Sequence, residues 1–172
     1  MIGRLRYIEI DEFRLKWRFA EDASKWTVLS DADLADFHPL AEDSAWALWK
    51  QFVHPTATQL IAFVKEWGPQ LQLRDTFKAA DAATTAEELE WGIQFLRQHI
   101  QVPDSSHLFF FWDATCAVET KWGVFLRYWT DFCYPSDDSN VAVPVECANN
   151  VFYFEERLWI EPRRMLNRTD TH

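Results

Sequence analysis

His107-Leu-Phe-Phe-Phe-Trp112, a polar break at Asp113-Ala-Thr-Cys116, and then Ala117-Val-Glu-Thr-Lys121 make up the stretch on which the fold turns. A continuous apolar run of that length bounded by turn residues suits a central strand, and strand-like sequence resumes after the break. Upstream of it the period changes. Ala45, Leu48, Trp49 and Phe52 recur at i, i+3, i+4 and i+7, the spacing of an amphipathic helix, which ends near the His54-Pro55 step. A second helix follows, capped by Thr56 or Thr58, with Leu60, Phe63, Val64 and Trp67 on one face and Gly68-Pro69 as its stop. Residues 69–83 have no firm period and read as a connection.

Thr85-Ala-Glu-Glu88 is a capping box, the hydroxyl taking the N3 amide while Glu88 reaches back, and it opens a helix along Leu89, Ile93, Leu96 and Ile100. Glu87, Glu88 and Glu90 stand where the positive end of the macrodipole favours them, so structure accounts for that acidic cluster. Downstream of the central run, residues 122–132 return to helix. Trp122, Phe125, Leu126 and Trp129 form one stripe and Val124, Tyr128 and Phe132 a second, so this helix is covered on most sides. Residues 133–140 are a loop by composition; 141–145, 151–154 and 158–160 read as strands, with Asn149-Asn150 and Glu155-Glu-Arg157 as hairpin turns.

At the other end, residues 5–19 place Phe13, Leu15, Trp17 and Phe19 at alternate positions, the period of a half-buried strand, whose basic face would sit beside an acidic body. The expected class is therefore α+β: an antiparallel sheet of about four to five strands packed against three to four helices. Residues 1–161 form a single domain, and 162–172, with Arg163, Arg164 and Arg168, form a basic C-terminal tail.

Hydrophobic residues are 48% of the chain, and four glycines and seven prolines interrupt it little, so a packed core is expected. Ten Trp and fourteen Phe mostly fill that core, leaving two or three rings for a binding patch. The net charge is −10, and residues 19–161 carry 9 basic against 23 acidic side chains. Such a field repels phosphate backbones and anionic membranes, which argues against nucleic acid and membrane surfaces, and it attracts a basic protein partner. Self-association stays open. Cys116, Cys133 and Cys147 are odd in number with no CxxC spacing, the N-terminus has no apolar leader, and the longest apolar run, 108–112, is far too short to span a bilayer. A cytoplasmic chain is expected. No phosphate-binding glycine motif occurs and no histidine pair has metal-ligand spacing, so neither a nucleotide cofactor nor a metal is expected.

The loop Asp131-Phe-Cys-Tyr-Pro-Ser-Asp137-Asp138-Ser-Asn140 is the candidate site, because acidic and amide side chains gather where a helix hands over to a sheet. In a binding protein, Asp131, Asp137, Asp138 and Asn140 would share an exposed face with Glu119 and with Tyr134 or Trp122, and receive a basic partner. The same carboxylates suit a hard cation through oxygen ligands, although the spacing matches no EF-hand, and Ser136 and Asp137 suit turn hydrogen bonds. The alternative is an enzyme with a site around Cys133 and Asp137/Asp138, a histidine such as His107 completing a Cys–His pair.

Three stretches carry a resemblance: Trp122-Gly-Val-Phe-Leu-Arg-Tyr-Trp129 running on to Asp137-Asp138, the closing Val151-Phe-Tyr-Phe-Glu-Glu-Arg-Leu-Trp-Ile160, and Tyr7-Ile-Glu-Ile-Asp-Glu-Phe-Arg-Leu-Lys-Trp-Arg-Phe19. The chain resembles a family of small bacterial proteins of unknown function. More loosely, it is similar to acidic immunity proteins that neutralise bacterial toxins, in which an aromatic helix and a late hairpin recur. That resemblance assigns no catalytic residue and implies a non-enzymatic binding or inhibitory role.

Overall fold

The computed structural model describes residues 4–19, 29–67, 76–78, 86–133, 139–154 and 157–163. The apolar run becomes β3 (His107–Asp113), and β4 (Cys116–Lys121) turns back against it, with Phe110 opposite Val118 and Phe109 opposite Glu119. On its other edge β3 pairs with β5 (Asn140–Pro144), which is followed by β6 (Asn149–Phe154) and β7 (Arg157–Pro162). Two short strands, β1 (His38–Pro39) and β2 (Thr76–Lys78), close the edges. The order is β1-β4-β3-β5-β6-β7-β2, with every neighbouring pair antiparallel.

The class is α+β, as expected, but with seven strands rather than four or five. Among the described residues there are also six α-helices rather than three or four. The extra strands come from segments of two and three residues, too short for any period to show. One of them, β2, lies inside the stretch read as a connection.

Alternation along the strands divides the core in two. Leu108, Phe110, Cys116, Val118, Ala142, Val151, Tyr153, Leu158 and Ile160 face one side, together with α4 (Ala86–His99), α5 (Trp122–Arg127) and α6 (Trp129–Cys133). Phe109, Phe111, Ala117, Val141, Val143 and Phe152 face the other, under α2 (Glu42–Phe52) and α3 (Leu60–Trp67). Covered on both faces, β3 has no polar alternation to show, which is why it reads as an unbroken apolar run.

The aromatic residues concentrate on the first side. Phe110 lies 4.7 Å from Trp112, 5.5 Å from Phe125 and 4.9 Å from Phe132 between ring centroids, in the tilted and edge-on arrangements that aromatic quadrupoles favour. Gly92 on α4 meets the indole of Trp129, where a Cβ would stand 2.4 Å from Cζ2, so only glycine lets these two helices close. The helix read over 122–132 is in fact α5 and α6, broken at Tyr128. Arg127 and the Tyr128 hydroxyl both hydrogen-bond Asp33, in α1 (Asp31–Leu34), and the break turns Trp129 towards α4, where its Nε1 donates to the Leu89 carbonyl at 3.3 Å.

Other sequence readings are corrected. Residues 5–19 are not a strand but contain two 3₁₀ turns, Ile10–Glu12 and Lys16–Arg18. Phe13 and Phe19, six apart, are two turns of three residues apart and both enter the aromatic core, whereas Trp17 is exposed. Asn149 and Asn150 belong to β6 rather than to a turn. The buried Asn150 amide donates to the Phe52 carbonyl at the end of α2 and accepts from Arg163 Nε. Arg163 also donates to the carbonyls of Pro144 and Val145 and lies over the Phe52 ring, so the domain runs through residue 163 and Arg163 is no free tail residue. Gly68-Pro69, Thr85 of the capping box, the turn at 155–156 and Arg164 and Arg168 of the tail lie outside the described residues.

Candidate functional site

Edge strand β1 covers only two residues of β4, pairing His38 with Glu119 and Pro39 with Val118. Beyond that pair the end of β4 is left open, and a cleft of about 460 Å³ forms there. Glu119 and Lys121 lie on one face of β4, and His107 lies opposite Lys121 in the ladder, so strand register alone brings the three together.

Glu119 organises the cleft. His107 Nδ1 lies 2.6 Å from its Oε1, and the Tyr7 hydroxyl donates to its Oε2. Tyr7 arrives from the N-terminal segment, held by its bridge to Leu40, by Ile8 N–H on the Pro39 carbonyl at 3.0 Å and by Ala41 N–H on the Arg6 carbonyl at 2.9 Å. Its ring meets His38 edge-on at 5.9 Å. Burial of the hydroxyl, and then the hydrogen bond to Glu119 and its charge, push the Tyr7 phenol up from 10.0 to about 12. Tyr7 is therefore a neutral donor at any ordinary pH.

His107 Nε2 faces Lys121 Nζ at 3.5 Å. With the Glu119 carboxylate at Nδ1 and the Lys121 ammonium at Nε2, the two neighbours match a ring that donates from Nδ1 and accepts at Nε2. An ionised carboxylate offers about four acceptor sites. Tyr7 and His107 occupy one on each oxygen of Glu119. Asp36, which also lines the cleft, has no ion pair or side-chain hydrogen bond among the described residues. Lys121 likewise has no carboxylate partner there. Opposite charges thus line one cleft without pairing. Thr120 closes its wall, buried, with its hydroxyl unbonded among the described residues.

Two of the basic N-terminal side chains pair with the body and a third stays within its own segment. Arg6 pairs with Asp43 at 2.7 Å, Arg14 pairs with Asp113, and Lys16 stands 3.9 Å from Asp11. Glu9, Glu12 and Glu42 stay exposed.

The sequence-derived site is not assembled as expected. Trp122 is wholly buried under the sheet, and Asp131, 9% exposed, sits in α6 where Arg18 approaches its carbonyl, so neither presents a side chain to a partner. Asn140 is 1% exposed, with both amide atoms unbonded among the described residues. Tyr134, Asp137 and Asp138 lie outside the described residues. Of the four that are described, Glu119 alone lies in the cleft. Cys133 is 2% exposed, a small core residue rather than an accessible nucleophile, and burial pushes the Cys116 thiol up to about 11. Tyr7, Asp36, His38 and Lys121 were missed, because no local spacing links them. Among the described residues no group of three His, Cys, Asp or Glu side chains is placed to hold a metal, and no helix is long and apolar enough to cross a membrane.

The chain belongs to the family described as "Protein of unknown function (DUF2947)", whose model matches residues 7–159. No curated protein and no solved structure matches it.

Proposed function

We propose that this chain is a non-enzymatic acidic binding protein of the cytoplasm that captures a basic protein partner, in the manner of bacterial immunity or inhibitor proteins. The observation that carries the reading is the cleft at the end of β4, where the Asp36 carboxylate, without an ion-pair partner among the described residues, and the open acceptor sites of Glu119 lie beside the half-exposed Tyr7 ring. A carboxylate next to an aromatic face suits a lysine or arginine side chain. The surrounding field, at a net −10, steers a cation towards it and away from phosphate polymers. The loop at 131–140, through Asp137 and Asp138 with Tyr134, is the second place for contact.

Catalysis has one observation in its favour, the orientation of His107 by Glu119. The lone pair a base would use, on Nε2, already faces the Lys121 ammonium, which favours binding over proton abstraction.

Affinity capture at low salt tests the proposal, with wild type, Asp36→Asn and the charge-reversed Asp137→Lys/Asp138→Lys chain run side by side. Wild type retains a basic protein in stoichiometric amount and releases it at high salt, and Asp36→Asn loses it. Retention by Asp36→Asn with loss by the loop variant moves the site to the loop. Retention of nothing basic by wild type overturns the binding reading.

A further inference from the structure

Asp36 and Lys121 line the same cleft, each without an ion-pair partner among the described residues and beyond ion-pair distance of one another. A lysine side chain is long and mobile enough to seek a carboxylate across a small cleft unless another group holds its ammonium. Here Lys121 is drawn to His107 Nε2, which Glu119 fixes from the other side of the ring. The carboxylate end and the ammonium end of the cleft are thus kept separate by the His107–Glu119 contact.

A ligand bearing only a cation satisfies Asp36 and Glu119 but leaves the Lys121 charge beside it uncompensated. A ligand bearing only an anion meets the reverse problem at Asp36. Both ends are satisfied together only by a group that carries a cation and a carboxylate a few bonds apart, with an apolar stem between them to lie along the Tyr7 and His38 rings. At about 460 Å³ the cleft holds a single residue rather than a protein surface.

Resting on the binding function proposed above, we propose that the residue the cleft reads is the partner's C-terminal one, a lysine or arginine with a free α-carboxylate. Its side-chain cation lies between Asp36 and Glu119, and its carboxylate takes the remaining N–H groups of Lys121. An internal lysine or arginine offers the cation without the anion. At a chain end both are present, and only one stretch of main chain has to leave the cleft.

The test uses a short dye-labelled peptide in three forms: ending in lysine with a free carboxylate, the same peptide amidated at its C-terminus, and an isomer with the lysine moved inside and alanine at the end. Fluorescence anisotropy is read against the full chain as wild type, Asp36→Asn and Lys121→Gln, each checked for native circular dichroism. The free-acid lysine peptide binds wild type about tenfold or more tighter than the other two, the worth of one charge-assisted contact. Lys121→Gln abolishes the preference for the free acid over the amide, and Asp36→Asn abolishes the preference for terminal lysine over terminal alanine.

If the amide binds wild type as tightly as the free acid while Asp36→Asn weakens both, the C-terminal assignment is overturned and the basic-partner reading stands. If Asp36→Asn loses a captured basic protein but no peptide form binds, the C-terminal assignment is likewise overturned. If neither peptide nor basic protein depends on Asp36, the C-terminal assignment falls together with the cleft as the binding site; if wild type also retains no basic protein, the binding reading falls with them.

Discussion

Strand β4 borders two regions of opposite character. Cys116 and Val118 face the aromatic core under α4, α5 and α6, where Phe110, Trp122, Phe125, Trp129 and Phe132 are each 1% exposed or less. Glu119 and Lys121, one residue out of phase, face the open cleft, where Asp36 and Lys121 have no ion-pair partner among the described residues. In the core every ring is braced by others, so a change of volume has nowhere to go. In the cleft, side chains are half in water and hold little of the fold, so their arrangement is free to serve a ligand. Stability and recognition are thus separated by the two-residue pleat of a single strand.

That separation can be broken or sharpened by substitution. Trp129→Ala removes the indole between α6 and α4 and should cost about 3–5 kcal/mol in urea unfolding. A loss below about 1 kcal/mol would mean that the core closes without it. Gly92→Ala attacks the same contact from the other helix by overpacking and should cost about 1–3 kcal/mol. Asp33→Asn, at the break between α5 and α6, should cost about 1.5–3 kcal/mol through its bonds to Arg127, Tyr128 and Ser30.

Burial alone would raise the Asp33 carboxyl, but the hydrogen bonds from Arg127, Ser30 and Tyr128 and the Arg127 charge outweigh it and hold the carboxyl below its usual value of 3.8. A lowered folded-state value means that this contribution is complete above the ordinary carboxylate range and is lost as pH falls through the folded value. Acid unfolding of Asp33→Asn should accordingly be the shallower of the two.

In the cleft, Asp36→Asn and Lys121→Gln should each shift the urea midpoint by no more than about 0.5 kcal/mol equivalent while changing binding. A larger loss would place these residues in the structural machinery. Tyr7 gives the smallest effect. Its phenol rises from 10.0 to about 12 on folding, so its contribution is complete below pH 10 and is lost as pH climbs towards 12. Tyr7→Phe should flatten the stability curve in that window and remove a phenol that titrates at about 12 from an ultraviolet titration.

Legibility followed the range of the interaction. The helices at 42–52, 60–67 and 86–99 and the strands at 107–113 and 116–121 were readable, because the apolar period of each is written within a dozen or so residues. Residues 5–19 were misread because Phe13 and Phe19, six apart, fit a strand of period two as well as two 3₁₀ turns, and contact with Phe37, Trp112 and Phe132 decided between them. Composition pointed correctly to a ring-filled core. It could not say that Trp122 lies inside it and that Trp91 and Trp17 do not.

The candidate site shows the limit most clearly. Glu119 was singled out for its charge, yet its neighbours are set by non-local pairing: His38 by the β1–β4 register, His107 by its place across the ladder from Lys121, and Tyr7 by an N-terminal segment more than a hundred residues away in the chain. Local periodicity records which face of its own element a residue takes, and for this chain that was enough for the class and the core. Which faces meet depends on strand order and register, and these are settled by the summed packing of elements far apart in the chain. The cleft and its unpaired charges are therefore a property of the ladder rather than of any stretch of residues.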